Sequence, residues 1–212
     1  MDVRSAIEKH KIIAILRRVP GEKILPVVQA LYDGGIRLIE VTYDQNSTSC
    51  LEDTGRAIAA ISERFGDRVG IGAGTVITKA QVENTARNGG RFVISPNTDP
   101  SIIKKTVRKG MVSIPGALTP SEIVAAYHCG AAFVKIFPAG EFGVSYIKAV
   151  KAPIAHIPLI AVGGINVHNI SEYLAAGYTG VAIGSNIAIT DLIMAERYDK
   201  LVDLAKEYTS RI

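Results

Sequence analysis

Residues 159–185 read LIAVGGINVHNISEYLAAGYTGVAIGS, and two short apolar runs in them enclose a stretch of helical period. The runs are Leu159–Gly164 and Gly180–Ser185, and both end in glycine-containing turns. Val167–Ala176 lies between them and stops before Gly177, a residue type that commonly ends helices. A strand, a helix and a second strand in this order are typical of the parallel β–α–β unit.

Similar units recur along the chain. Six further apolar runs precede these two, and they are Ile12–Arg17, Leu38–Tyr43, Val69–Thr75, Phe92–Asn97, Met111–Ala117 and Phe133–Pro138. Stretches of helical period lie between or after them, namely Gly21–Asp33, Ser47–Phe65, Thr78–Asn88, Asp99–Lys109, one opening at Thr119, and Thr190–Tyr208. Most runs are continuous and β-branched, as in strands buried on both faces. Eight such units in 212 residues predict an α/β fold, a single-domain (β/α)8 TIM barrel over residues 1–212. A doubly wound sheet is the alternative, although it normally uses fewer strands at this length.

The charge and cysteine content narrow the functional classes. The formal net charge is +4, and the Lys104–Lys105 and Arg108–Lys109 group has the spacing of a solvated helix face, so nucleic-acid binding is not predicted. Mild positive charge suits the attraction of small anions to a cleft. Cys50 and Cys129 form no metal-binding spacing and no disulfide framework. The first residues lack the apolar stretch of a signal peptide, and no apolar run approaches the length of a membrane helix, so we expect a cytoplasmic protein without a membrane partner.

Lys135 occupies an unusual position for a charged residue. It lies in the run Phe133–Pro138 and, by strand alternation, shares a face with Phe133 and Phe137. Desolvation there would lower its pKa and supply the neutral amine that attacks a carbonyl. The structural alternative is a lysine that pairs with a buried carboxylate or extends to the barrel rim. The sequence thus makes Lys135 a candidate Schiff-base nucleophile.

Two further charges end or interrupt apolar strands. Glu40 shares a strand face with Leu38 and Thr42, which makes it a candidate general acid/base, or else a neutralising partner of Lys135 or Arg17. Arg17 ends the first run, where its guanidinium suits a substrate carboxylate. Arg18 competes for that role, because alternation lets only one of the two point inward.

Small residues end several other strands. Gly163–Gly164 and Gly184–Ser185 follow the seventh and eighth runs, where barrels of this type often bind phosphate through backbone N–H groups and a helix N-terminus. Tight strand-to-helix turns would also explain these glycines. Gly72–Gly74 leaves room for a substrate, or lets helices pack closely, and Thr75 can donate to a carboxylate or keto oxygen.

The ordered set of motifs resembles the bacterial 2-keto-3-deoxy-6-phosphogluconate/4-hydroxy-2-oxoglutarate aldolase family through nearly the whole chain. The motifs are Ala14–Arg17, Gly35–Thr42, Gly72–Val76, Ile94–Pro96, Ile114–Gly116, Val134–Ala139, Gly163–Ile165 and Gly184–Ser185. The resemblance implies a class I aldolase with Lys135 as its Schiff-base lysine and Glu40 as its acid/base. It places Arg17, Thr75, Pro96 and Phe137 around the keto acid and Gly163, Gly164, Gly184 and Ser185 around the phosphate. It also implies a homotrimer, a 2-keto acid substrate, pyruvate as product, and no metal or other cofactor.

The substrate implied first is 2-keto-3-deoxy-6-phosphogluconate, cleaved to pyruvate and D-glyceraldehyde 3-phosphate, with 4-hydroxy-2-oxoglutarate, cleaved to pyruvate and glyoxylate, as a further substrate. Ala161–Val162 stands where many phosphogluconate-type members carry Pro-Thr, and Tyr43 and Asp44 follow Glu40 where some members place an arginine. The Ala161–Gly164 form, with Glu141–Gly143, resembles the phosphogalactonate branch, which is the alternative. A phosphosugar isomerase or epimerase is a more remote alternative, and it would give Lys135 no covalent role.

Overall fold

A parallel sheet rolled into a barrel forms the centre of the computed structural model, which describes residues 2–212. Its strands are β1 (Ile12–Leu16), β2 (Leu38–Thr42), β3 (Gly70–Gly74), β4 (Phe92–Ile94), β5 (Val112–Ile114), β6 (Gly116–Ala117), β7 (Val134–Ile136), β8 (Leu159–Val162) and β9 (Gly180–Ile183). Their order is β5-β4-β3-β2-β1-β9-β8-β7-β6, and every recorded pairing between neighbours is parallel. β5 pairs with β4, and β6, one residue further along the chain, pairs with β7. The sheet therefore closes on itself, and the predicted (β/α)8 barrel is confirmed.

Pro115 explains why the structure has nine strand segments within residues 2–212 where the sequence predicts eight. It separates β5 from β6 inside the predicted run Met111–Ala117. Proline has no amide hydrogen to donate to a neighbouring strand. Its carbonyl still accepts from the Lys135 backbone N–H at 2.8 Å, so the lysine strand stays joined to this segment.

The helices pack around the barrel. They are α1 (Val3–His10), α2 (Ile24–Asp33), α3 (Cys50–Phe65), α4 (Lys79–Arg87), α5 (Pro100–Arg108), α6 (Pro120–His128), α7 (Ala139–Ile154), α8 (Ile170–Ala175), α9 (Thr190–Met194) and α10 (Tyr198–Thr209). The sequence did not predict α1 or α7. The predicted helix Thr190–Tyr208 is wrong as one unit, because the backbone at Glu196 turns through φ +55° and divides α9 from α10. Within residues 2–212, every helix falls short of the length and apolar content that a membrane crossing requires.

Strand alternation separates two hydrophobic cores. On β1, Ile13 and Ile15 point into the barrel, whereas Ile12, Ala14 and Leu16 pack outward against the helices. The interior set also contains Leu38, Phe92, Ile94, Ile114, Phe133, Ile160, Val162 and Ala182. Apolar residues of α1 join this interior set and close the end of the barrel at which the strands begin. The opposite end, where the strands finish, remains for the polar residues of the site.

Candidate active site

Lys135 lies in the middle of β7 and faces into the barrel. Its strand neighbours Val134 and Ile136 belong to the outer core, and Phe133 on its own face belongs to the interior core. The side chain is partly buried, with its Nζ 4.7 Å from the centroid of the Phe137 ring. Desolvation lowers the pKa of Lys135, and the positive charge of Arg17 acts in the same direction, whereas Glu40 opposes it. The site thus favours the neutral amine more than solvent does.

Glu40 lies in the middle of β2 and is only 3% exposed. Burial raises its pKa to about 7, against the attraction of Lys135 and Arg17, which favour the carboxylate. Its Oε2 atom is buried without a hydrogen-bond partner, and no ion pair joins Glu40 to Lys135 or Arg17 among the described residues. Lys135 and Arg17 therefore act on Glu40 through their charge without a direct ion pair. A carboxyl group with a pKa near 7 can both accept and donate a proton at neutral pH.

Glycines on β3 make the space that Glu40 occupies. A Cβ atom at Gly74 would overlap Glu40 Oε1, and one at Gly72 would overlap the ring of Phe92. These glycines therefore make room for the Glu40 carboxylate and the Phe92 ring, a reason that adds to the two interpretations drawn from the sequence. The sequence drew attention to Gly74, but its contact with Glu40 was not predictable because Glu40 lies on a neighbouring strand.

Arg17 and Arg18 both follow the end of β1 and differ in the groups on which their charges act. The charge of Arg17 acts on both Glu40 and Lys135, whereas Arg18 donates to Asp44 at 2.9 Å. Thr75, Arg17 and Arg18 all line one small cavity of about 130 Å³ at the end of β1, β2 and β3, so the two arginines are distinguished by their partners and not by access to this cavity. The arrangement brings a guanidinium and a hydroxyl to the same place, as carboxylate binding requires.

Phe137 and Pro96 differ in how closely they approach the lysine. Phe137 is 46% exposed, and a Cβ atom added at Gly163 would lie 3.3 Å from its ring. Phe137 thus lies between Lys135 and the glycine turn after β8. Pro96 is exposed at the end of β4, where its carbonyl lies against Gly116 of β6, and no contact with Lys135 is recorded among the described residues.

The glycine turns after β8 and β9 are tied together. Gly163 and Gly164 have φ of +89° and +78°, a region that favours glycine, and Gly140 N–H donates to Gly163 O at 2.9 Å. The Asn186 amide beside Ser185 donates to Ile165 O at 2.8 Å and links the two turns. The helices α8 and α9 begin only at Ile170 and Thr190, so the expected helix N-termini do not lie at these glycines. Any anion here would be held by the turns themselves.

A larger cavity, about 620 Å³, lies outside the barrel between the ends of β1 and β2 and the helix α3. Lys135 and Glu40 line neither cavity, but Arg17, whose charge acts on both of them, lines the smaller one and not this one. Among residues 2–212, no group of three or more His, Cys, Asp or Glu side chains is placed to hold a metal ion.

Comparison with known proteins agrees with this geometry. The sequence model of the KDPG and KHG aldolase family matches residues 3–204. The chain belongs to this family. It is therefore a pyruvate-dependent class I aldolase, a carbon–carbon lyase.

Two curated relatives and one solved structure show how close the aldolase is to known members. It is 36% identical over 180 residues to the 2-dehydro-3-deoxy-6-phosphogalactonate aldolase of Escherichia coli strain K12, covering 84% of this chain and 85% of the relative. It is 30% identical over 203 residues to the 2-dehydro-3-deoxy-phosphogluconate aldolase of Treponema pallidum, covering 95% and 93%. The KDPG aldolase of Legionella pneumophila, solved with pyruvate as a covalent carbinolamine, superposes with a TM-score of 0.86 at 27% identity, covering 97% of each chain.

Gln45 and Gln81 are further residues of the aldolase that the sequence did not place at the site. Gln45 lines the cavity shared by Arg17 and Thr75, and Gln81 contacts Gln45. A signal for Gln81 was present, because Thr78 and Gln81 have the spacing of a capping box at the start of α4. That pattern predicts a helix start and says nothing of a site.

Proposed function

We propose that Lys135 attacks the C2 ketone of a 2-keto-3-deoxy-6-phosphoaldonate and forms a Schiff base with it. The observation that carries this proposal is the pairing of a desolvated lysine with a buried, unpaired Glu40 at one barrel opening. The capture of pyruvate as a covalent carbinolamine intermediate in the Legionella pneumophila enzyme supports the same first step here. No metal or other cofactor enters the proposed reaction.

The steps follow from the two side chains. Nζ adds to C2, water leaves, and the resulting iminium draws electrons from the C3–C4 bond. Glu40, directly or through one water, removes the proton of the C4 hydroxyl as that bond breaks, and an aldehyde leaves. The enamine that remains takes a proton at C3, and hydrolysis frees pyruvate and the lysine. Because Glu40 must be ionised for cleavage and its pKa is about 7, we expect the rate to rise with pH through that region.

Other residues bind the two ends of the substrate. We assign the carboxylate to Arg17 and Thr75, which line one cavity. Contacts beside the keto group are assigned to Phe137, whose ring lies beside Lys135, and to Pro96 on the family resemblance. The phosphate is assigned to the turns containing Gly163, Gly164, Gly184 and Ser185, which are linked through Asn186.

The galactonate series is the favoured substrate. Ala161–Val162 before the glycine pair and the 36% identity to the phosphogalactonate aldolase of Escherichia coli support it over the gluconate series that the sequence suggested first. This choice is tested by measuring pyruvate release from three substrates side by side. They are 2-keto-3-deoxy-6-phosphogalactonate, 2-keto-3-deoxy-6-phosphogluconate and 4-hydroxy-2-oxoglutarate. A kcat/KM higher for the gluconate epimer would reverse it.

The covalent step is tested with variants at Lys135 and Glu40. Lys135→Met should abolish both turnover and borohydride trapping by pyruvate, whereas Lys104→Met, at an exposed lysine on α5, should leave both unchanged. Glu40→Gln should lower turnover by roughly 100-fold or more and retain trapping of pyruvate added directly. Covalent trapping in Lys135→Met would show that another lysine is the nucleophile.

A homotrimer and a cytoplasmic location are also proposed. The trimer is supported by the family resemblance, and the location by the two unpaired cysteines, Cys50 and Cys129. Light scattering of a trimer should give about 68 kDa, three times the 22.6 kDa of one chain.

A further inference from the structure

Thr75 has a backbone conformation that a β-branched residue rarely adopts. It follows β3 with φ +57°, in the left-handed region. In this region the Cβ atom crowds the carbonyl oxygen, so such residues persist only where their surroundings determine the conformation. The conformation matters because Thr75 lines the cavity that Arg17 also lines, where we place the substrate carboxylate.

Side-chain amides hold the segment that contains Thr75. Gln45 Nε2 donates to the Thr75 carbonyl at 2.7 Å, and Gln81 Nε2 donates to Gln45 Oε1 at 3.0 Å. Gln81 Oε1 accepts from the backbone N–H groups of Ile77 and Thr78 at 2.8 and 3.1 Å. The peptide groups on the C-terminal side of Thr75 are thus bound by two glutamines from different parts of the chain.

The orientation of both amides is determined by their partners. Only an amide nitrogen can donate to the Thr75 carbonyl, and only an amide oxygen can accept from the N–H groups of Ile77 and Thr78. Each glutamine therefore has one end fixed by backbone, and the remaining oxygen of Gln45 faces the remaining nitrogen of Gln81. Gln81 is only 3% exposed, which anchors the chain of bonds in the protein, while Gln45 is exposed at the cavity.

We propose that Gln45 is a positioning residue that, held by Gln81, fixes Thr75 in the orientation that binds the substrate carboxylate. Gln45 acts through Thr75 and need not contact the reacting atoms. The inference rests on the proposed function, because it assigns the carboxylate to Thr75. Loss of the Gln45 bond should weaken binding of the keto acid and leave the chemistry at Lys135 intact.

Borohydride trapping with pyruvate as the probe separates these two effects. Gln45→Ala should raise the pyruvate concentration for half-maximal trapping by about 5- to 10-fold, the effect of one lost hydrogen bond. The trapping rate at saturating pyruvate and the Tm should stay close to those of the wild type. Gln29→Ala is the matched control, since Gln29 makes its side-chain bond to Asp33 on α2, away from the site.

A second variant and a double mutant test the path of the effect. Gln81→Glu keeps the oxygen that caps α4 but loses the nitrogen that donates to Gln45, so it should weaken pyruvate binding without loss of folding. In a Thr75→Gly background, where glycine adopts positive φ freely and the side chain is gone, Gln45→Ala should have no further effect. Two results would overturn this inference and leave the proposed function standing. One is a Gln45→Ala effect on pyruvate binding that is as large in the Thr75→Gly background as in the wild type. The other is a Gln45→Ala protein that binds pyruvate as well as Gln29→Ala does. A wild-type protein that pyruvate does not label would overturn the proposed function and this inference with it.

Discussion

Glu40 carries its charge at an energetic disadvantage, and this should be visible in the stability of the protein. Its pKa of about 7 in the folded state exceeds the ordinary value of 4.5, so the folded protein binds more protons than the unfolded chain between these pH values. The contribution of Glu40 to stability is therefore fully present below pH 4.5 and is lost as the pH rises through 7. Glu40→Gln removes the titration, so its stability relative to the wild type should increase by about 3 kcal/mol from pH 4 to pH 8.

Urea unfolding of both proteins at several pH values measures this difference. Glu63→Gln, at an exposed glutamate on α3, is the matched control and should show no such trend. A constant difference between Glu40→Gln and wild type across this range would show that Glu40 titrates as an ordinary carboxyl group.

Gly74 offers a test of the space around the same acid. Gly74→Ala would place a methyl group where Glu40 Oε1 lies, so the carboxylate must move. Misplacement of a catalytic group by about 1 Å can lower turnover on the order of 100-fold, and we expect a loss of that size with pyruvate trapping retained. Gly21→Ala is the control, because a Cβ atom there meets nothing within 4 Å. Full activity of Gly74→Ala would mean that Glu40 can act from another position.

The sequence indicates charged residues of this site better than it indicates the residues that support them. Lys135 and Glu40 were predictable because a charge in an apolar strand is conspicuous and alternation gives its face. The space at Gly74 and the bond from Gln45 to Thr75 depend on approaches between separate elements. A single sequence contains no local pattern for either.

Among the elements, α1 should contribute to stability without touching the chemistry. Ile7 of α1 is fully buried in the barrel interior at the end opposite the site. Ile7→Ala should lower the free energy of unfolding by about 3 kcal/mol, as expected for a truncated core side chain, and leave kcat/KM unchanged. Ile77→Ala, which changes an isoleucine that is 44% exposed, should alter stability by about 0.5 kcal/mol or less. Equal unfolding free energies for the two variants would mean that α1 does not seal the barrel.

Elements were predictable where their local pattern was strong. The eight apolar runs all contain strands, because continuous β-branched residues have few alternatives in a chain with regular turn signals. α1 was missed because it precedes the first strand and belongs to no strand–helix unit, and α7 because Gly143 and Pro153 lie inside it. The apolar residues around Pro115 predict one continuous strand, but Pro115 divides it into β5 and β6.

At the scale of the whole molecule, barrel closure gathers residues that are far apart in the sequence. Glu40 on β2, Arg17 after β1, Ser185 after β9, Gly163 after β8 and Lys135 on β7 come from five consecutive strands of the closed sheet. The carboxyl ends of these strands meet at one opening. The register between strands and the closure of the barrel both depend on contacts between distant segments. The sequence could therefore predict the barrel but not the distances between its site residues.

This order of strands also separates the proposed phosphate end of the site from the reacting centre. Ser185→Asp would place a carboxylate in the turn after β9, where it should repel a phosphate without reaching Lys135. We expect kcat/KM for the phosphorylated keto acid to fall by about 100-fold, mainly through a higher KM. Cleavage of 4-hydroxy-2-oxoglutarate, which has no phosphate, should be almost unchanged. Ser171→Asp, at an exposed position on α8, supplies the same charge elsewhere and should change neither value. A binding defect confined to the phosphate end must distinguish substrates that differ at that end. An equal loss of kcat/KM for both substrates would therefore place the defect at the reacting centre and contradict phosphate binding by these turns.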